Sequence, residues 1–309
     1  MNLLKHLALS ALVMFVPLAH ADYENVIDTD LPNISYVTFP STAATPLTIA
    51  GQLKVPANAS PENKVPAVVV VHGSGGVDSR GKFYVKALNK DGIATLEIDM
   101  WAARGFLAGG LDRPSSVQST LPDVYGALQF LASRPNIDAS RIGIMGFSWG
   151  GVLSMLTATN VYSTGPLKFA AHVAHYPICW AYVQTQIPGF QFKSFTGAPV
   201  LIQTGDHDDY DNPVGGPYTA NVCKAVVQSL PAEAKQFIKL RVYKNATHGW
   251  DRLQPAMTVN DPYAHLGLGL FRPGSPSPVQ FTPSPEQAYL ARYWVEDFFM
   301  KALSVDPAP

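Results

Sequence analysis

The sequence predicts an α/β protein in which a mostly parallel central sheet carries helices on both faces. Two observations predict this class. Short runs of β-branched and apolar residues alternate with segments of helical periodicity between residues 66 and 302. The run at residues 66–72, PAVVVVH, is apolar at almost every position, as in strands that are buried on both faces of a parallel sheet. Such alternation favours parallel strands joined by crossover helices.

Each element is predicted from its own pattern. Residues 34–39 and 47–55 alternate apolar and polar side chains, which indicates an opening pair of antiparallel strands. Further strands are predicted at residues 66–72, 93–98, 141–147, 169–175, 199–204 and 239–243, and helices from residue 83 and at residues 121–133, 149–158, 220–230 and 286–302. Residues 255–285 are rich in Pro and Gly and are predicted to lack regular structure, as either a lid or a surface insertion without a role.

Composition and charge narrow the partners. The chain has 309 residues, 47% of them hydrophobic, and a formal net charge of −1. It therefore offers no electrostatic reason to bind nucleic acid or an anionic membrane. Its length suits one large α/β domain or two small ones, and we expect a single domain that spans residues 22–309.

The first 21 residues are predicted to be a secretion signal. Lys5 is followed by an apolar stretch at residues 7–18 and by AHA at residues 19–21, a small-x-small cleavage site. A membrane anchor, the alternative, needs about 18 or more apolar residues, and Pro17 interrupts this shorter run. We therefore expect a periplasmic or secreted protein with no membrane insertion after cleavage.

The chain has two cysteines, Cys179 and Cys223. In an oxidising compartment we expect them to form a disulfide. The alternative is a pair of free, buried thiols.

Residues 146–150, GFSWG, match the pattern G-x-S-x-G. They lie between a predicted strand and a predicted helix, where a sharp turn can project the Ser148 hydroxyl and the flanking glycines avoid collisions. The helix that follows points free N–H groups and its positive dipole end at a developing oxyanion. Ser148 is therefore predicted to be a nucleophile, the alternative being a helix N-cap serine.

A serine nucleophile needs a base, and in this arrangement the acid and the histidine follow it along the chain, each after a strand. His248 follows the last predicted strand and is the expected base. Residues 205–211, GDHDDYD, follow the preceding strand and supply the acid. Asp208 is the preferred acid, with Asp209 or Asp211 as the fallback. The aspartate spacing also resembles a calcium loop, but the Gly and the terminal Glu of an EF-hand are missing, so we expect neither metal nor cofactor.

Two backbone N–H groups are expected to form an oxyanion hole. One belongs to Trp149, directly after the nucleophile, and the other to Ser74, in the glycine-rich loop at residues 72–76. His72 is predicted to brace that loop rather than to act as a base.

Four tryptophans fall next to the predicted catalytic loops and are expected to line an aromatic pocket: Trp101, Trp149, Trp180 and Trp250. For each of them the alternative is an ordinary core position.

Taken together, these residues resemble the dienelactone hydrolase family of α/β-hydrolases. The resemblance covers roughly residues 66–252 and rests on the loop at residues 72–76, NIDASR at residues 136–141 leading into GFSWGG, the acid turn from Gly205 to Asp208, and His248. The Tyr176-Pro177 pair after a strand also resembles that family. This resemblance implies the α/β-hydrolase fold and hydrolysis of a small-molecule carboxylic ester or lactone.

The sequence departs from the family at two positions. The best-known members use a cysteine where this sequence has Ser148, and a glutamate where our alignment places Gly73. A serine with an ordinary triad needs no such glutamate, so the two changes are mutually consistent. Dienelactone itself is not implied as the substrate.

Arginines at similar places in the family hold a carboxylate of the substrate, so the resemblance implies this role for Arg104 and Arg252. The alternative is that Arg252 pairs with Asp251 or Asp99 and pins a loop. The rival functions are an acyltransferase or a peptidase on the same fold, and a non-catalytic binding module.

Overall fold

The computed structural model of the protein describes residues 31–106, 112–184, 186–218 and 221–304. The predicted secretion signal at residues 1–21 lies outside these ranges. Within them, no helix is both long and apolar enough to cross a membrane.

An eight-stranded sheet runs through the centre of the fold. Its strands are β1 (Asn33–Pro40), β2 (Thr48–Val55), β3 (Val65–Val71), β4 (Ala94–Asp99), β5 (Ile137–Phe147), β6 (Ala171–His175), β7 (Val200–Gly205) and β8 (Ile238–Tyr243). They lie in the order β1-β2-β4-β3-β5-β6-β7-β8. Strand β2 is antiparallel to β1 and β4, and the other neighbours are parallel. The carboxyl ends of β3 to β8 therefore meet at one edge, where such sheets collect their binding residues.

Helices cover both faces of this sheet. They are α1 (Ser79–Lys90), α2 (Leu121–Ala132), α3 (Trp149–Thr157), α4 (Val222–Ser229), α5 (Ala232–Lys235), α6 (Ala264–Phe271) and α7 (Pro285–Ala302). Because side chains alternate along a strand, Val68 and Val70 of β3 pack in the cluster that holds α1 and α7, whereas Val69 and Val71 pack with α2 and α3. All seven residues of β3 are buried. The predicted fold class and the opening antiparallel pair are confirmed.

Residues 255–285, called the insertion below, form regular structure, so the prediction that they would not is wrong. Strand β9 (Met257–Asn260) pairs antiparallel with β10 (Pro278–Phe281), and α6 lies between them. These elements are short, and α6 contains left-handed backbone angles at residues 265–267. None of them is long enough to carry the periodicity that predicts a helix or strand.

Candidate active site

Ser148 lies on the sharp turn between β5 and α3. Its φ of 51° is in the left-handed region, and its N–H donates to the His175 carbonyl oxygen at 3.0 Å. A Cβ at Gly146 would lie 2.2 Å from the Gly150 backbone, and one at Gly150 would lie 2.3 Å from the Val71 carbonyl oxygen. The two glycines therefore allow the chain to turn tightly enough to present the serine at the sheet edge.

His248 and Asp208 form a buried pair at the same edge. The ring nitrogen Nδ1 of His248 lies 2.7 Å from Asp208 Oδ2, and each side chain is only 1% exposed. A Cβ at Gly205 would lie 2.0 Å from the Ala246 carbonyl oxygen, so a glycine is what lets the loops after β7 and β8 approach this closely. Because Nδ1 faces the carboxylate, the opposite ring nitrogen, Nε2, remains available to accept a proton.

The two fallback acids have other partners. Asp209 accepts hydrogen bonds from the Tyr218 hydroxyl at 3.2 Å and the Gln280 N–H at 2.8 Å. Asp211 accepts the N–H groups of Cys179 and Trp180 at 3.2 and 2.8 Å, and burial raises its pKa. The structure therefore pairs the histidine with the preferred acid, Asp208.

A disulfide joins Cys179 to Cys223, with Cα atoms 5.0 Å apart. Together with Asp211 these cysteines are the one group, among the described residues, whose ligand atoms lie close enough to hold a metal ion. Because the disulfide uses both sulfurs, the group keeps a single carboxylate, and this is too little for a metal site. Asp211 instead ties the chain after β6 to the acid loop, and the disulfide ties the same segment to α4.

The loop after β3 is held in shape by two side chains. His72 Nδ1 lies 2.7 Å from the Gly73 carbonyl oxygen, and His72 Nε2 accepts the Met100 N–H at 3.0 Å. These partners require the neutral ring with its proton on Nδ1, and burial lowers the His72 pKa to about 4. The Trp101 indole N–H donates to the Ser74 carbonyl oxygen at 3.0 Å. His72 is therefore a brace, as predicted.

The backbone that carries the two expected oxyanion donors lies close to the nucleophile. Trp149 is the first residue of α3, so its N–H has no acceptor within the helix. Ser74 follows Gly73, where an added Cβ would lie 3.5 Å from Ser148 Cβ. Both N–H groups thus belong to backbone next to the serine.

All four tryptophans are buried rather than exposed in a pocket, Trp149 at 5% exposure and the other three almost completely. Trp101 braces the oxyanion loop, Trp180 donates its indole N–H to the Tyr263 carbonyl oxygen at 3.0 Å, and Trp250 packs between aromatic rings in the core. Each of these three is at most 1% exposed. Their large apolar surface is buried against neighbouring elements, and this differs from the expected pocket-lining role.

The two arginines have different surroundings. Arg104 donates to both Asp123 oxygens, at 2.7 and 3.3 Å, and to the Met100 carbonyl oxygen at 2.8 Å. Its guanidinium is thus committed to a fully buried carboxylate, which contradicts the expected substrate contact. The Arg252 Nε lies 3.5 Å from Asp78, and its side chain is 26% exposed. Arg252 does not pair with Asp251 or Asp99, and it stays a candidate.

Three aromatic rings surround His248, and the sequence singled out none of them as a contact of the base. Its ring lies 4.4 Å from Tyr210, 4.7 Å from Tyr176 and 5.4 Å from Phe281, centroid to centroid. Tyr210 lies within the predicted acid loop, so its position in the sequence could have indicated a contact with the base. Phe281 belongs to the insertion and lies 33 positions beyond the histidine, so no local pattern connected the two.

Arg113 is a further residue that the sequence did not single out. It forms a bidentate ion pair with Asp261 of the insertion, at 2.7 and 2.9 Å. Its guanidinium also lies 5.8 Å from the Trp149 ring and 5.6 Å from the Tyr263 ring. The insertion is thereby joined, through Arg113, to the side chain of the residue that follows the nucleophile.

Comparison with known proteins gives a consistent result. The model of the dienelactone hydrolase family matches residues 49–266. A probable 2-oxo-3-(5-oxofuran-2-ylidene)propanoate lactonase of Bradyrhizobium sp is 24% identical over 202 residues, which are 60% of this chain and 74% of that protein. Human dipeptidyl peptidase 8 is 32% identical over 124 residues, 37% of this chain; the match spans 14% of that much longer protein.

Solved structures agree on the fold. Esterase 2 of Thermogutta terrifontis, in a structure described as phosphorylated by paraoxon, superposes with a TM-score of 0.57 at 14% identity. The superposition covers 91% of this chain and 97% of the esterase.

Proposed function

The chain belongs to the dienelactone hydrolase family, and we propose that it hydrolyses carboxylic esters or lactones through an acyl-enzyme on Ser148. The observation that carries this proposal is the buried Asp208–His248 pair at the sheet edge that also presents the serine. In a non-catalytic module, nothing would require a strained serine and a buried acid–histidine pair at one edge.

The proposed mechanism follows from these positions. The Ser148 hydroxyl attacks the carbonyl carbon while His248 Nε2 accepts its proton, and Asp208 holds the ring orientation and stabilises the imidazolium. The N–H groups of Trp149 and Ser74 bind the oxyanion. The tetrahedral intermediate then collapses, and His248 gives the proton to the leaving alkoxide. Water repeats these steps to release the acid and restore the serine.

The first test is a covalent one. Paraoxon, the agent named for the Thermogutta esterase, should phosphorylate Ser148, and peptide mass spectrometry should locate the label there. Turnover should be sought in parallel with p-nitrophenyl esters of graded chain length and with a panel of lactones. The absence of both a label and any turnover would exclude the proposed function.

The Bradyrhizobium lactonase, by its name, acts on a lactone that carries a carboxylate. We propose that Arg252 binds such a group, because its side chain is 26% exposed at the end of the base loop. A carboxylated lactone should then be cleaved faster than its methyl ester. Arg252→Met should reduce this preference, measured as the ratio of the two kcat/KM values, by about 30-fold or more. Arg272→Met, which alters an exposed arginine of the insertion, is the control. Equal rates for both lactones in the unaltered enzyme would leave Arg252 with a structural role.

We also propose that the protein is exported. The charged and apolar pattern of residues 1–21 and the Cys179–Cys223 disulfide support this. Intact-mass measurement on the periplasmic or secreted protein should give a chain that begins at Asp22. A full-length chain confined to the cytoplasm would contradict export.

A further inference from the structure

Asp251 is a buried carboxylate that the proposed mechanism does not use. It lies three positions after His248 and is 1% exposed. Its two oxygens accept the hydroxyl hydrogens of Tyr176 and Tyr84, each at 2.7 Å. Burial raises the Asp251 pKa, whereas Arg80 and the two hydroxyl groups lower it. Its neighbours stabilise this buried carboxylate, and its hydrogen bonds fix the positions of the two tyrosine hydroxyl groups.

Of these two tyrosines, Tyr176 also contacts the base. Its ring lies 4.7 Å from the His248 ring at an interplanar angle of 65°. Its φ of 34° is positive, and its N–H donates to the Gln203 carbonyl oxygen at 2.6 Å. The residue before it, His175, accepts the Ser148 N–H. Tyr176 is thus fixed by its backbone beside the nucleophile and by its hydroxyl beside the base loop.

Arg80 extends this contact toward the oxyanion loop. It donates to the Tyr176 hydroxyl oxygen at 3.3 Å and forms a bidentate pair with Asp78, at 2.7 and 2.8 Å. A Cβ at Gly73 would lie 3.4 Å from Arg80 Nη2, and a Cβ at Gly249 would lie 3.8 Å from Nη1. The guanidinium therefore lies between the loop that carries the oxyanion donor and the loop that carries the base.

We propose that the chain Asp78–Arg80–Tyr176–Asp251 sets the orientation of His248 relative to Ser148 and the oxyanion loop, with Tyr176 as the positioning residue. The inference rests on the proposed function. None of the four residues needs to touch the substrate. Their contribution is to remove freedom from the histidine ring, because misplacement by about 1 Å costs on the order of 100-fold in rate.

The structure contains a matched control. Tyr176→Phe and Tyr84→Phe each remove one hydroxyl that donates to the same carboxylate at 2.7 Å. Both tyrosines are fully buried, but the Tyr84 ring packs against His175 and Phe147 rather than against His248. A purely structural role of the cluster therefore predicts similar losses in both variants.

The experiment measures kcat, KM and the burst of p-nitrophenol from a p-nitrophenyl ester, together with Tm. Tyr176→Phe should lower kcat and the burst rate by about 10- to 100-fold with KM within about twofold. Tyr84→Phe should lower Tm comparably and kcat by less than about threefold. Equal kcat losses in the two variants, or an unchanged kcat in Tyr176→Phe, would overturn the proposal.

A second variant tests whether the residues act as one unit. Asp251→Asn should lower kcat as Tyr176→Phe does, and the double variant should be no slower than the slower single variant, because coupled residues are not additive. Multiplied losses would overturn the proposal. If the unaltered enzyme turns over no ester or lactone, the proposed function fails instead, so the two failures are distinguishable.

Discussion

The nucleophile side of the site and its acid–base side are held by different kinds of contact. Ser148 is positioned by main-chain geometry, since its turn needs two glycines and its N–H bonds to the neighbouring strand end. The acid loop is held by the insertion: Asp209 accepts the Gln280 N–H at 2.8 Å, and the Tyr210 hydroxyl donates to Asp261 at 3.0 Å.

The difference concerns how far along the chain the supporting residues lie. Gly146 and Gly150 are within two residues of the serine. Gln280, in contrast, is 71 residues from Asp209, the acid-loop residue that it supports. A local turn is encoded by its own residue types. A loop held by a remote segment depends on that segment folding correctly. We therefore expect changes on the nucleophile side to affect rate with little effect on stability, and changes in the insertion to affect both.

Ser148→Ala tests the first half of this comparison and should have the largest effect. Activity should fall by about 10⁴- to 10⁶-fold because the acyl-enzyme cannot form. Alanine keeps the backbone turn, so Tm should stay close to that of the unaltered protein. The measurement is kcat on a p-nitrophenyl ester beside thermal unfolding, and a variant that keeps more than about a tenth of kcat would exclude a serine nucleophile.

Asp208→Asn should come next, with a loss of about 10⁴-fold in kcat, because an amide no longer selects the productive tautomer of His248. Asp209→Asn and Asp211→Asn are the controls within the same loop. Both should retain far more activity, since their carboxylates face other partners. A dead Asp209→Asn or Asp211→Asn beside an active Asp208→Asn would move the acid role to that residue.

Asp261→Asn tests the insertion. Removal of the carboxylate charge that pairs with the largely buried Arg113 guanidinium should lower the free energy of unfolding by about 1.5–3 kcal/mol. The rate should fall as well, because Tyr210 packs on both Asp261 and His248. Urea unfolding and kcat should be measured together.

The control for this variant is Asp297→Asn, which alters an ion pair with the exposed Lys301 and should cost about 0–1 kcal/mol. Equal losses in the two variants would show that the insertion contributes nothing special to stability.

Lowering the pH should change the contributions of the two sides to the free energy of unfolding in opposite directions. This is the smallest effect that we predict. His72 has a folded-state pKa of about 4 against about 6.5 in the unfolded chain, so stability falls as the pH drops below about 6.5. Between pH 7 and pH 5, His72→Gln should reduce the loss in the free energy of unfolding by about 2 kcal/mol. Burial raises the Asp211 pKa, so its protonation in the folded protein works in the stabilising direction. An identical pH dependence of the unfolding free energy in both proteins would contradict the expected role of His72.

How much could be predicted from the sequence follows the same division. The alternation of strands and helices, the serine turn, the acid loop and the base all appear as local patterns in the sequence. So does the bracing role of His72. The structured insertion, the Arg113–Asp261 pair and Phe281 do not, because each depends on contacts between segments far apart in the chain. The roles expected for Arg104 and the tryptophans differ from their surroundings for a related reason. Proximity to a catalytic loop does not say whether a side chain faces the cleft or the core.

The end of the insertion lies next to the base loop that precedes it. Thr282 N–H donates to the Thr247 hydroxyl oxygen at 2.8 Å, and Ser284 N–H donates to the Trp250 carbonyl oxygen at 2.9 Å. The chain thus leaves the base loop and returns to the start of α7 at almost the same point. Since the entropy of closing a loop changes only slowly with its length, segments of other lengths can be accommodated here without displacing the last helix. A segment exchanged at this junction would leave the sheet and the serine turn in place, but it would have to replace the contacts that Asp261 and Gln280 make with the acid loop.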